Sequence, residues 1–153
     1  LSLHDALPIL TSDCAPLWGT VESMLNTTKD IHVIRDATRG GVGTVLYEIA
    51  AQSKVGIHLD SQAIPVDPAV RGVCGMLGLE PLYLACEGRL VIVAPKEVAG
   101  DIVAVLKKGK YSQNAAIIGE VTEEQPGRVV MRTEIGAEML LPPPGGELLP
   151  RIC

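Results

Sequence analysis

The order of local signals predicts an α+β fold: helices packed on a mixed, mostly antiparallel sheet, with an extended, flexible C-terminal tail. Three observations carry that expectation. Short apolar runs of strand length alternate with amphipathic stretches of helix length. Two pairs of strand-like runs are joined by short turns, one at Glu87-Gly88-Arg89 and one containing Pro126-Gly127. Near its end the chain carries Pro142-Pro143-Pro144-Gly145-Gly146, a polyproline rod followed by a free joint.

Ala15 to Asn26 reads as the first helix, with Asp13 as a cap and Pro16 in the first turn. Ile31 to Arg35 is a short strand. Gly40 to Ser53 is the clearest helix, because Val42, Val45, Leu46, Ile49 and Ala50 fall at i, i+3, i+4, i+7 and i+8. Gly56 ends it and begins the strand Ile57 to Asp60. Asp67-Pro68 starts a helix to about Leu77, which Gly78 stops. Leu82 to Cys86 and Leu90 to Ala94 read as strands around the turn at Gly88. Pro95 or Lys96 opens a helix to Lys108. Ala115 to Thr122 and Arg128 to Thr133 are further strands, and Glu138 to Leu141 adds a last short one.

With 153 residues, 47% of them hydrophobic, the chain fits one domain with a real core. A net charge of −5 without a basic cluster, no Phe and one Trp argue against nucleic-acid binding. No apolar run approaches the roughly 20 residues of a membrane span, so no membrane is expected and a cytoplasmic location is. The cysteines are Cys14, Cys74, Cys86 and Cys153. None forms a C-x-x-C pair and no His stands at zinc-finger spacing, so no metal site is expected. Cys74 and Cys86 lie in apolar surroundings, as core thiols do. His4, His32 and His58 are scattered, as surface or strand histidines are.

Cys153 is the most informative residue. A thiol on the last residue, beyond a Pro/Gly-rich run, rides a movable arm. From Leu141 to Cys153 an extended chain spans roughly 40 Å at about 3.3 Å per residue. The plainer alternative is a frayed terminus with an incidental cysteine. Asp36-Ala37-Thr38-Arg39-Gly40-Gly41 stands between a strand and the best helix. Glycines there let backbone N–H groups approach an anion, and Arg39 adds a phosphate clamp. The same residues also satisfy a tight strand-to-helix turn capped by Asp36 and Thr38. Glu87 follows an apolar run, where partial desolvation would suit a carboxylate to proton transfer; an ordinary acidic turn residue is the competing reading. Cys14 stands near a helix start, where it packs while Asp13 caps, or else carries a lowered pKa.

Several segments occur in one order: Ser12-Asp13-Cys14-Ala15-Pro16-Leu17, Arg35 to Gly41, Ala63-Ile64-Pro65-Val66, Tyr83-Leu84-Ala85-Cys86-Glu87-Gly88 and terminal Leu149-Pro150-Arg151-Ile152-Cys153. This set resembles the C-terminal half of the hydrogenase maturation factor HypE family, the carbamoyl dehydratases of the AIR synthase-like superfamily. The resemblance runs from about Ser12 to Cys153. It divides the chain into a leader at 1–11, foreign to the family and read as an artefactual remnant, a domain at 12–141 and a flexible tail at 142–153. Two residues depart from the family pattern: Cys86, where Asn is usual, and Trp18.

The resemblance implies that Cys153 receives a carbamoyl group from the carbamoyltransferase HypF. ATP, with Mg2+, then drives its dehydration to a thiocyanate, and the cyano group passes to iron in the HypC–HypD scaffold for [NiFe] hydrogenase. It implies that Glu87 helps deprotonate the thiocarboxamide, and it makes Asp36, Thr38, Arg39, Gly40 and Gly41 candidates for the phosphate region. A homodimer is expected. The family's ATP-binding half is not among these residues, so no turnover is expected of this chain alone. Two other functions compete: a non-catalytic dimerisation or docking module, and a thiol redox protein.

Overall fold

The computed structural model describes residues 12–145. The leader expected at 1–11 and the tail from Gly146 to Cys153 lie outside the described residues. In chain order the elements are α1 (Trp18–Thr27), β1 (Val33–Asp36), α2 (Gly41–Ser53), β2 (Gly56–Asp60), α3 (Pro68–Leu77), a 3-10 turn (Pro81–Tyr83), β3 (Leu90–Val93), α4 (Lys96–Leu106), β4 (Gly119–Thr122), β5 (Val129–Arg132) and β6 (Glu138–Leu140). The α+β expectation holds, but the strands form two sheets. β1 pairs antiparallel with β3, and a second sheet runs β4-β2-β5-β6. Within it only the β2–β5 pairing is parallel.

The β1–β3 ladder divides the interior. Side chains alternate across a strand, so Val33, Val91 and Val93 turn to one side and Ile34 and Ile92 to the other. The first side meets the main core, where the α2 stripe of Val42, Val45, Leu46, Ile49 and Ala50 packs with Ile57, Leu59 and Val129. The second meets a smaller core of Met24 from α1 with Ile102 and Leu106 from α4.

Three expectations are corrected. Leu82 to Cys86 is not a strand. Glu80 accepts the Leu82 N–H at 3.3 Å and opens the 3-10 turn, and Pro81 has no N–H to give a ladder. β3 therefore pairs with β1 and not across the Gly88 turn. The strands flanking Pro126-Gly127 are not hairpin partners either, because β2 lies between them. β2 buries Gly56, Ile57 and Leu59, and a strand so apolar is stable only in the middle of a sheet. Finally, α1 begins at Trp18, with Leu17 at its N-cap and no side-chain cap. Pro16 lies ahead of the helix, and Asp13 does not cap it.

α3 forms as its sequence directs: Asp67 Oδ1 accepts the Ala69 N–H at 2.8 Å, Pro68 occupies the first turn, and Gly78 closes it at φ 66°. His58 is a strand residue on β2, as expected of a scattered histidine. At the end of the domain Leu141 is 1% exposed and donates its N–H to the Val129 carbonyl at 2.9 Å. Leu141→Ala empties a fully enclosed site and should cost about 2–5 kcal/mol, to be read from the urea unfolding midpoint of the chain.

Candidate active site

The site grows from Ala37. β1 ends at Asp36, and Ala37 follows, wholly buried. Its N–H donates to the Arg89 carbonyl and its carbonyl accepts the Cys86 N–H, both at 3.1 Å. Both backbone groups of one residue thus join the Asp36–Gly41 turn to the Cys86–Arg89 turn. This brings Glu87 beside the segment that carries Asp36, Thr38 and Arg39. A third strand of chain crosses here. Gly88 lies so close under the Asp13 carbonyl that any Cβ would overlap it. Three of the motifs that are scattered in the sequence therefore converge.

The double glycine makes the turn possible. Gly40 has φ 69° and Gly41 has φ 67°, both left-handed, a region that side chains with a Cβ enter only at a cost. Gly41 is further constrained, since a Cβ would meet the Leu82 carbonyl and stand 2.5 Å from the Leu84 carbonyl. The 3-10 turn can rest on the head of α2 only because Gly41 lacks one. This contact holds α2 at its start, and the N-terminus of α2 carries no side-chain cap. Asp36 and Thr38 do not cap α2. Instead the Thr38 hydroxyl, facing the Asp36 carboxylate, holds it below the usual carboxylate range. Arg39 and Gly40 are exposed beside the uncapped helix end, and Arg39 forms no ion pair among the described residues. Uncapped N–H groups, the helix dipole and a guanidinium together suit an anion.

Glu87 is exposed in its turn. The apolar strand expected to shield it does not form. Its neighbour Cys86 is buried and donates its thiol to the Leu84 carbonyl at 3.1 Å. Burial pushes the Cys86 thiol up, and the nearby Asp13 carboxylate adds to this while Arg89 opposes it. Cys74 is also buried, as its apolar setting predicts. Cys14 is exposed and so corrects the expectation that it packs; its N–H donates to the Ser12 hydroxyl at 3.3 Å. Cys153 lies outside the described residues. No group of three or more His, Cys, Asp and Glu placed to hold a metal ion occurs among the described residues.

Sequence reasoning misses two residues that tie the tail to this region. Tyr47 on α2 donates its hydroxyl to the Leu141 carbonyl, and Tyr83 in the 3-10 turn donates to the Pro142 carbonyl. Tyr83 packs over Gly43 of α2, where a Cβ would come within 2.6 Å of its ring. Burial first, then the adjacent Tyr47 and Glu80, push the Tyr83 hydroxyl up to about 12, and burial raises Tyr47 likewise. No local signal announces either bond, since the partners lie 94 and 59 residues apart.

A main core and a smaller one thus flank the β1–β3 ladder, with a glycine turn at the head of α2. Residues 11–132 match the family model described as AIR synthase related protein, C-terminal domain. The chain belongs to that family. It is 41% identical along its whole length to the carbamoyl dehydratase HypE of Azotobacter vinelandii, and it covers 46% of that protein. The chain thus spans about half the length of the curated relatives it matches. It superposes on the hydrogenase maturation protein HypE in complex with ATP with a TM-score of 0.88 at 44% identity, over 96% of this chain and 45% of that one. It superposes on the HypE–HypF complex with a TM-score of 0.84 at 37% identity, over 88% of this chain and 44% of that one.

Proposed function

We propose that this chain is the acceptor half of a carbamoyl dehydratase. The observation that carries the reading is the 41% identity across the whole chain to a carbamoyl dehydratase HypE. The convergence of Glu87 with the uncapped head of α2 supports it. Cys153 is the thiol that takes the carbamoyl group, from a HypF-type carbamoyltransferase; a solved HypE–HypF complex among the similar structures supports that partner. ATP is the nucleotide, which the HypE structure solved with ATP supports; Asp36, Thr38, Arg39, Gly40 and Gly41 border its phosphate end in this reading, which the uncapped head of α2 supports. When bound, ATP supplies the phosphoryl group that turns the carbamoyl oxygen into a leaving group.

The remaining steps belong to the chain's own residues. The arm brings the S–C(=O)–NH2 group of Cys153 to the site, where tethering raises its effective concentration. The C–O bond breaks as the oxygen departs with phosphate. The nitrogen gives up its two protons as C≡N forms: Glu87 accepts one and releases it to water, and the other leaves on the departing phosphate. The products are S–C≡N on Cys153, ADP, hydrogen phosphate and one proton, so the reaction is a dehydration without change of oxidation state. The cyano group is destined for the iron of [NiFe] hydrogenase on a HypC–HypD-type scaffold. The whole protein acts as a homodimer in the cytoplasm. The buried, poorly ionised thiol of Cys86 favours this reading over thiol redox chemistry.

The test uses the protein with its ATP-binding half, a HypF-type carbamoyltransferase, carbamoyl phosphate and ATP, followed by intact-mass measurement. Wild type should gain the carbamoyl mass at Cys153 and then lose one water. Glu87→Gln keeps the shape and removes the base. It should carbamoylate normally and dehydrate about 10²–10⁴-fold more slowly, the range for loss of a general base. Dehydration at the wild-type rate would remove Glu87 from the mechanism.

A further inference from the structure

Resting on the function proposed above, we infer that Gly88 and Asp13 are positioning residues for Glu87: the close crossing of their backbones braces the turn on which it stands. Glu87 is exposed in the turn from Cys86 to Arg89, and an exposed carboxylate on a loose turn samples many positions. A general base works only within hydrogen-bond reach of its proton, about 2.6–3.2 Å. Here the residues on both sides of Glu87 are held. Cys86 donates its N–H to the Ala37 carbonyl and its thiol to the Leu84 carbonyl, both at 3.1 Å. The Arg89 carbonyl accepts the Ala37 N–H, also at 3.1 Å. Gly88 lies against the Asp13 carbonyl, where a Cβ would stand 2.8 Å from the carbonyl carbon and 3.2 Å from the Ala15 nitrogen.

Gly88 is needed there for space and not for backbone freedom. The left-handed glycines among the described residues are Gly40, Gly41, Gly78, Gly127 and Gly136, and Gly88 is not one of them. An alanine at this position therefore meets the crossing chain and no φ penalty. The crossing chain is itself anchored. The Ser12 hydroxyl accepts the Cys14 N–H at 3.3 Å, and the segment runs into α1, whose Met24 is buried in the smaller core. Ala37 and Cys86 belong to the main core. The Glu87 turn is thus tied to the main core through Ala37 and touched by the lead-in to the helix of the smaller one. A backbone held in this way leaves Glu87 chiefly its side-chain torsions to order when substrate engages.

The test uses the protein with its ATP-binding half. Intact mass follows carbamoyl uptake and the later loss of water, and hydrogen exchange at the Ala37 amide reads the brace itself. Gly88→Ala should speed Ala37 exchange and slow dehydration about 10–100-fold, since a misplacement of about 1 Å costs on the order of 10²-fold. Carbamoylation should keep its wild-type rate. Combined with Glu87→Gln, it should slow dehydration no further than Glu87→Gln alone, because a brace has nothing to position once the base is gone. Losses that multiply would mean that Gly88 acts through general stability, and would overturn the inference. So would a wild-type dehydration rate or unchanged Ala37 exchange in Gly88→Ala. Asp13→Gly loosens the crossing chain without adding an atom, and covers the case in which Gly88→Ala does not fold. It should slow dehydration several-fold, again with no added loss on top of Glu87→Gln, and a wild-type rate there would also overturn the inference. Dehydration at the wild-type rate in Glu87→Gln would instead remove the role proposed for Glu87, and the positioning role with it. A slow Glu87→Gln beside a normal Gly88→Ala would remove the brace alone.

Discussion

Cys153→Ala in the protein with its ATP-binding half should abolish carbamoyl uptake, and with it all thiocyanate. The size of the effect follows from what the other thiols can do. Cys74 is 3% exposed and Cys86 is 8% exposed, and neither can meet a partner enzyme without unfolding the core around it. Burial also pushes the Cys86 thiol up, away from the nucleophilic thiolate. Cys14 is exposed, but its segment is held against Gly88 with no flexible arm to carry it. No substitute nucleophile therefore combines exposure with reach. Intact-mass measurement after incubation with a HypF-type carbamoyltransferase, carbamoyl phosphate and ATP checks this directly. A variant that still gains the carbamoyl or thiocyanate mass would remove the arm from the chemistry.

Gly41→Ala should destabilise the domain strongly. The residue sits at φ 67°, where an L side chain costs roughly 1–2 kcal/mol. The added Cβ would also meet two backbone carbonyls, those of Leu82 and Leu84. Neither can retreat cheaply. Leu82 is buried in the main core, and the 3-10 turn that holds it also supports Tyr83. Together these effects should remove about 4 kcal/mol or more, a large share of the roughly 5–15 kcal/mol that stabilises a typical domain. Gly72→Ala is the control. It lies within α3 with nothing within 4 Å of the new Cβ, and should stabilise by about 0.5–1 kcal/mol. Urea unfolding of the two variants of this chain would compare them. Equal midpoints would show that the contact between Gly41 and the 3-10 turn does not limit stability.

The helices were largely legible in the sequence, and for definite reasons. The α2 stripe from Val42 to Ala50 repeats at helical spacing over two turns, and no strand can use that spacing. Asp67-Pro68 and Gly78 bracket α3 with residues whose backbone preferences permit little else. Gly40-Gly41 announces a turn at a helix head, and the turn is there. Leu82 to Cys86 was not legible, because a short apolar run has the same composition whether it is a strand or a buried irregular segment. Its true neighbour is Gly41, and nothing within the run points to that partner. The same limit applies to Glu87: its identity and its place in a motif are visible, but its exposure depends on whether the preceding residues form a strand.

The amino-acid order alone determined the starts and stops of α2 and α3, the turn glycines, the Pro-rich run and the presence of a thiol on the last residue. These are local matters, decided by φ preferences, capping groups and periodicity over a few residues. Only the tertiary structure decided that Ala37 would bond to both Cys86 and Arg89, that Asp13 would cross Gly88, and that β2 would part β4 from β5. It alone placed Tyr47 and Tyr83 on the carbonyls of Leu141 and Pro142. Contacts of that kind join residues tens of positions apart, and they form only when the buried faces of several elements are satisfied together.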